Sequence, residues 1–209
     1  MKPIVILFFV GCFLRSYSQG QINLNYNLLQ KDSFFLVCRG TKQKAGIIAG
    51  KFNISDKNAT HVGIGIIDRG ILHIYNVNNV SKELSALVHE DVRQFTAISD
   101  IVYFSIWKCK ATESEIRQLK NILRRYSGKK IIFDMTFSEN GDDNLYCSEF
   151  CAKVLYELNP AEFQFSLVNF ALNGFYSVVL GRKAVDYYPV DFFQTNKKFK
   201  KIYEFHYKL

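Results

Sequence analysis

The feature that most constrains this chain is a cysteine that stands where an irregular polar segment gives way to an amphipathic helical pattern. The polar segment covers residues 138–144, and the helical pattern starts near Cys147 and ends at Asn159-Pro160. Its apolar face recurs at helical spacing and comprises Phe150, Cys151, Val154, Leu155 and Leu158. A helix start offers free N–H groups and the positive end of the helix dipole, and both favour a thiolate over a thiol. The sequence therefore predicts an inward-facing Cys147 at a helix start, with Cys151 one turn deeper in the core.

A histidine opens an apolar strand upstream of this cysteine. Residues 61–67 and 71–77 have the pattern of a hairpin, with Gly70 where the turn needs glycine. Cysteine at a helix start and His61 on a strand are the minimum apparatus for thiol nucleophilic catalysis. Asn76, on the second hairpin strand, is the candidate to orient the imidazole. Taken singly, each has another interpretation: Cys147 as a small core residue, His61 as a hydrogen-bonded structural residue, and Asn76 as a polar strand end.

The remaining patterns indicate an α+β domain made mainly of antiparallel strands with helices packed against them. A capping box formed by Thr112 and Glu115 opens a helix that Gly128 ends. Further strands are predicted at residues 33–38, 101–106, 184–188 and 202–206, a short helix at 166–172, and a glycine-containing connector at 43–58.

The N-terminus resembles a secretory signal peptide. Lys2 precedes a short apolar run at residues 4–13, and small residues then permit cleavage before Gln19. We therefore expect a signal peptide at 1–18, a single domain at 19–209, and a periplasmic or secreted protein. The alternative is a lipoprotein whose Cys12 carries the lipid.

Charge and cysteine content narrow the partners. The formal net charge of +8 favours encounter with anionic surfaces such as wall polymers or lipid head groups. The lysines are scattered, apart from a run at residues 197–201 that is typical of a solvated edge, so we expect no nucleic-acid partner.

A disulfide between Cys38 and Cys109 is possible in an exported chain. The sequence shows no metal, phosphate-loop or dinucleotide motif, so we expect no cofactor.

Three segments resemble the permuted papain-like cysteine hydrolases of the NlpC superfamily, in particular the YiiX/YebB-like branch. Residues 32–37 (DSFFLV) resemble its first apolar strand, residues 60–64 (THVGI) its [ST]-H-x-G-[IV] segment, and residues 146–149 (YCSE) its [YF]-C-[ST]-E segment. The resemblance spans about residues 32–158. It implies an NlpC-type fold in which an antiparallel sheet or half-barrel packs against helices.

By this resemblance, Cys147 is the nucleophile and His61 the base. The family often carries glutamate in the third position, where this chain has Asn76. Asp134 corresponds to a polar residue shortly before the cysteine loop, with a structural or substrate-side role. Tyr146 and Glu149 are candidates to line the substrate cleft, although Glu149 is also the kind of acid that a first helical turn favours.

Three functions follow as hypotheses. The first is an exported cysteine amidase or peptidase that acts on peptides, peptidoglycan stem peptides or N-acyl amides through a thioester. The second is a binding module on the same fold that has lost catalysis, which the change to Asn76 favours. The third is a thiol acyltransferase that passes lipid acyl groups to an acceptor other than water, as in the related lecithin:retinol acyltransferase-like branch.

Overall fold

The computed structural model describes residues 22, 24–79, 84–98, 100–137, 141 and 143–207, and for residues 44, 45 and 47 only the backbone. The predicted signal peptide and Cys12 lie outside these residues. The strands are β1 (Ser33–Thr41), β2 (His61–Asp68), β3 (Ile71–Val77), β4 (Leu87–Asp91), β5 (Ile101–Lys110), β6 (Ile132–Phe133), β7 (Asn144–Leu145), β8 (Val168–Ala171), β9 (Ala184–Tyr187) and β10 (Lys200–His206). The α-helices are α1 (Lys44–Lys51), α2 (Val92–Thr96), α3 (Glu113–Ser127), α4 (Cys147–Leu158) and α5 (Gly174–Leu180). Two 3₁₀ helices cover Tyr26–Leu28 and Phe192–Thr195.

A six-stranded antiparallel sheet forms the centre, in the order β10-β5-β1-β2-β3-β4. Alternate residues of β1 enter two different cores: Phe34 and Leu36 join the core that contains α3 and α4, whereas Phe35 and Val37 face the core around Phe95 of α2. All nine residues of β1 are buried, which explains why residues 34–38 form a continuous apolar run. The predicted α+β class, a large antiparallel sheet packed against helices, is confirmed.

The β2–β3 hairpin is the element that carries the predicted histidine. Asp68 pairs with Ile71, so a two-residue turn joins the strands. Arg69 and Gly70 both have positive φ, 49° and 82°, which is the backbone that a tight hairpin of this hand requires. Its open end therefore holds His61 and the end of β3.

The two long helices begin where the sequence places them. In α3, Thr112 and Glu115 form the predicted capping box. In α4, Tyr146 has extended backbone, with φ −102° and ψ 168°, and helical geometry starts at Cys147. The inward face of α4 packs on β2 and β3 and beside α3. None of the helices in the described part of the chain is long and apolar enough to cross a membrane.

Two local predictions are wrong. Residues 168–171 form β8, paired with β9, because Val168 and Phe170 alternate in exposure with Asn169 and Ala171 rather than following helical spacing. Residues 44–51 of the predicted connector form helix α1. Its glycines serve close packing, since a Cβ on Gly46 would lie 2.5 Å from the Thr41 hydroxyl oxygen.

Candidate active site

Cys147 lies at the first position of α4, against the backbone of β2. Its sulfur accepts hydrogen bonds from the backbone N–H groups of Val62 and Ser148, and Val62 directly follows His61 in the chain. The residue is only 8% exposed. Burial raises the pKa of the Cys147 thiol, and the two N–H groups and the charge of Arg39 oppose that rise only in part. The resting side chain is therefore a thiol, whereas reasoning from the helix start alone favoured a thiolate.

His61 is the first residue of β2 and faces Arg39 across the β1–β2 pairing. Its ring lies 5.9 Å from that of Phe95, centroid to centroid. Burial, followed by the nearby Arg39 cation, lowers the pKa of His61 to about 3, and the hydrogen bond to Asn76 opposes this only partly. The imidazole is therefore neutral at physiological pH, with one ring nitrogen unprotonated.

A chain of polar contacts fixes which ring nitrogen carries the hydrogen. Asn76 Nδ2 donates to Glu90 Oε2 at 2.8 Å, so its amide nitrogen faces the carboxylate. The other amide atom, Asn76 Oδ1, therefore accepts from His61 Nε2, 2.9 Å away. With the hydrogen on Nε2, the lone pair of His61 lies on Nδ1. Glu90 thus sets the tautomer of His61 through Asn76.

Gly63 makes room for this arrangement. It follows His61 by two residues and so lies on the same face of β2. A Cβ at Gly63 would lie 2.8 Å from the Asn76 Cβ and 2.8 Å from Ile74 Cγ2. The absence of a side chain at Gly63 therefore leaves room for Asn76 to reach the imidazole of His61.

Arg39 and Glu90 are the two charged residues that sequence reasoning missed. Arg39 Nη1 donates to the Phe95 carbonyl at 2.7 Å and Nη2 donates to Asn78 Oδ1 at 2.9 Å. Its guanidinium carbon lies 4.5 Å from the Phe95 ring centroid. Burial lowers the pKa of Arg39, and the charge of Glu90 raises it. A buried cation and a carboxylate thus flank the neutral His61 and Asn76. The signal that could have found Arg39 is a charge within an otherwise apolar strand.

The three residues predicted to lie on the substrate side occupy two places, a cavity and a loop. Tyr146 and Glu149 line a cavity of about 230 Å³. The Tyr146 hydroxyl accepts from the Tyr188 N–H at 2.8 Å, and Glu149 Oε1 pairs with Lys153 at 3.2 Å. Burial raises the pKa of the Glu149 carboxyl. Asp134 instead accepts from both the N–H and the hydroxyl of Thr136, at 2.7 Å each, which stabilises the turn after β6.

The other cysteines of the described chain are free. Cys38 lies opposite Ser105, and Cys109 lies opposite Phe34, in the β1–β5 pairing. Four residues of strand therefore separate the two sulfurs, or about 13 Å at the usual rise per residue. The possible Cys38–Cys109 disulfide is not formed.

A large antiparallel sheet with helices packed against it, among them the helix α4 that begins at Cys147, defines the class of this fold as α+β. Within that class, the chain is similar to the crystal structure of metalloprotein YiiX from Escherichia coli O157:H7. The TM-score is 0.61 over 85% of this chain and 99% of the other, with 13% identical residues. At this identity the likeness shows the fold. No family model matches the sequence, and no curated protein matches it.

The E. coli neighbour is described as a metalloprotein, which raises the question of whether this chain has side chains placed to bind a metal ion. In the described ranges, no group of three or more His, Cys, Asp or Glu side chains is arranged to hold a metal ion. His73 Nδ1 and His89 Nε2 lie 2.8 Å apart, but they supply two ligands where protein centres commonly use three or four. His73 and His89 therefore do not fit a metal centre.

Proposed function

We propose that this chain is a cysteine hydrolase that cleaves amide bonds through a thioester intermediate. The observation that carries the proposal is the tautomer of His61, which Asn76 and Glu90 fix. The next residue of the same strand, Val62, donates its N–H to the Cys147 sulfur. A partner that is itself oriented by a carboxylate is the kind of group that holds a general base in one tautomer and orientation.

The first step is attack of the Cys147 sulfur on the amide carbonyl carbon. Because the thiol is protonated and the imidazole is neutral at rest, His61 Nδ1 takes the thiol proton as the sulfur–carbon bond forms. This is general-base activation of a neutral thiol rather than a preformed thiolate–imidazolium pair.

The next steps follow from the position of Cys147 at a helix start. The backbone N–H of Cys147 is one of the first four of α4 and so lacks a partner within the helix. It can donate to the oxygen of the tetrahedral intermediate. The imidazolium then gives its proton to the leaving amine as the carbon–nitrogen bond breaks, and water, deprotonated by His61, hydrolyses the thioester.

The substrate class that we propose is a peptide, a peptidoglycan stem peptide or an N-acyl amide, met outside the cytoplasm. Two sequence features support this setting: the signal-like residues 1–18, and a net charge of +8 that becomes +6 without Lys2 and Arg15 of that segment and favours anionic surfaces. Tyr146 and Glu149 line the cavity beside the start of α4 and are the proposed substrate contacts.

The test is a substrate screen with product analysis. Muropeptides and N-acyl amino acids are incubated with the wild type and with Cys147→Ser, with and without hydroxylamine as a soluble acyl acceptor. The proposal expects free acid and amine from one class, with the activity abolished in Cys147→Ser. Transfer of the acyl group only to the added acceptor would identify an acyltransferase, and no turnover of any class would favour a binding module.

A further inference from the structure

Helix α5 presents large apolar side chains to solvent on one side. Phe175, Val178 and Val179 are 73%, 81% and 60% exposed. Their spacing of three and four residues places all three on one face of the helix. Single exposed apolar residues are common on proteins, but three at helical spacing on a seven-residue helix form a continuous stripe.

The opposite side of α5 is apolar as well. Tyr176 and Leu180, one turn apart, pack against the small core that contains Tyr146 and Tyr187. The helix carries no charged residue in its sequence GFYSVVL. A helix with apolar residues on both its inner and its outer side has the composition of one that is covered on both, so the outer stripe has the composition of a covered surface.

The chain segment that contains the stripe is basic and has no acidic residue. Residues 163–185 contain no Asp or Glu, and they contain Arg182 and Lys183 directly after α5. Arg182 donates to the carbonyls of Thr136 and Phe137. It therefore holds beside the end of α5 the loop that carries Met135, which is also exposed.

We propose that this apolar stripe docks the protein on a lipid bilayer that contains anionic lipids. The apolar side chains enter the boundary between head groups and acyl chains, and the exposed Lys183 meets the lipid phosphates. A second copy of the chain is a poorer occupant. Even if each side chain of the stripe buried as much as a large aromatic residue, about 250 Å², the three would not reach the roughly 800 Å² per partner of a stable protein interface.

The proposal is independent of the cysteine chemistry, and so is its test. Purified protein is co-sedimented with phosphatidylcholine vesicles and with vesicles that contain about 30 mol% phosphatidylglycerol. The variant is Phe175→Ser/Val178→Ser/Val179→Ser. The matched control is Ile71→Ser, which removes an apolar residue of 48% exposure at the far end of the β2–β3 hairpin. Both variants keep the same N-terminal residues, so any binding through those residues is common to both.

We expect the wild type and Ile71→Ser to bind the anionic vesicles more tightly than the neutral ones, and added salt to weaken that binding. The triple variant should lose at least about tenfold in partitioning, since each side chain forfeits its transfer into the apolar phase. Circular dichroism checks that it remains folded. Equal binding by the triple variant, or no binding by the wild type, overturns the proposal. So does light scattering that shows a wild-type dimer and a monomeric triple variant, since a second copy would then cover the stripe.

Discussion

The β2–β3 hairpin carries two histidines, one near each end, in contrasting surroundings. His61 contacts Asn76, whose amide is held by Glu90, and the pKa of His61 falls to about 3. His73, near the turn, contacts His89 at an exposed position, with 2.8 Å between the two ring nitrogens. Each pair spans neighbouring strands of the same sheet.

The contrast shows that the hydrogen-bond partner of each histidine decides which of the two is the candidate base. Asn76 has one amide atom committed to a carboxylate, so it presents a defined acceptor to His61. His89 can act as donor or acceptor depending on its own tautomer, so it fixes nothing in His73. His61, unlike His73, is therefore held in one tautomer, with its lone pair on Nδ1.

The largest expected effect comes from removing each histidine in turn. His61→Ala should lower kcat/KM by about 10²–10⁴-fold, because a general base contributes that much to the rate. His73→Ala, on the same strand pair, should stay within about twofold of the wild type. The measurement is turnover of whichever substrate the screen identifies. Equal losses in both variants would break the distinction between the two histidines.

The pH dependence of stability separates the two histidines without a substrate. An ordinary histidine in the unfolded chain has a pKa near 6.5, whereas folded His61 has a pKa of about 3. Below about pH 6.5 the unfolded chain binds a proton that folded His61 does not. This contribution to stability is therefore present above pH 6.5 and is lost as the pH falls towards 3, at up to about 1.4 kcal/mol per pH unit.

Urea unfolding between pH 7 and pH 4 measures this slope. His61→Gln should have a shallower slope than the wild type, while His73→Gln retains the contribution of His61. Identical slopes in the wild type and His61→Gln would mean that folded His61 titrates as an ordinary histidine.

Replacing Asn76 tests the link between His61 and Glu90. Asn76→Leu leaves the His61 Nε2–H and the Glu90 carboxylate without their amide partner, which costs about 1–3 kcal/mol of stability. Turnover should fall as well, because the tautomer of His61 is no longer fixed. The exposed Asn121→Leu is the control and should be close to neutral. Full activity in Asn76→Leu would show that His61 needs no orienting group.

The smallest expected effect comes from the glycine beside His61. Gly63→Ala forces a Cβ to 2.8 Å from the Asn76 side chain, and overpacking of this kind costs about 1–3 kcal/mol. Gly128→Ala, whose Cβ would lie 3.5 Å from the Arg125 carbonyl oxygen with ordinary backbone, should change the free energy of unfolding by less than about 1 kcal/mol. Chemical denaturation measures both, and a neutral Gly63→Ala would show that Asn76 can shift without cost.

Local patterns were sufficient to predict the scaffold of the site. The alternation of β2, its turn at Gly70 and the helical face of α4 all depend on residues close in sequence, and the structure confirms them. The sequence also named Asn76, on the second hairpin strand, as the residue that would orient His61, and the hairpin register set by the turn brings the two together.

The charged partners could not be predicted, because they depend on pairings between distant segments. Arg39 meets His61 only through the β1–β2 register, and Glu90 reaches Asn76 from β4, where it pairs with Ile74. The protonation state of Cys147 also depends on packing between distant segments. The helix start does lower its pKa through N–H groups, but burial between α4 and the sheet raises it more.

The central claim is that His61 activates the buried thiol of Cys147, and the most direct test is the labelling of the folded protein by a small vinyl sulfone. Mass spectrometry then locates the modified cysteine at neutral pH. Among the four cysteines of the described residues, we predict that only Cys147 is modified, while the fully buried Cys38, Cys109 and Cys151 stay free. In His61→Ala the rate at Cys147 should fall at least about tenfold, and in His73→Ala it should not change. No labelling of Cys147 in the folded wild type, or labelling at the same rate in His61→Ala, would contradict the account.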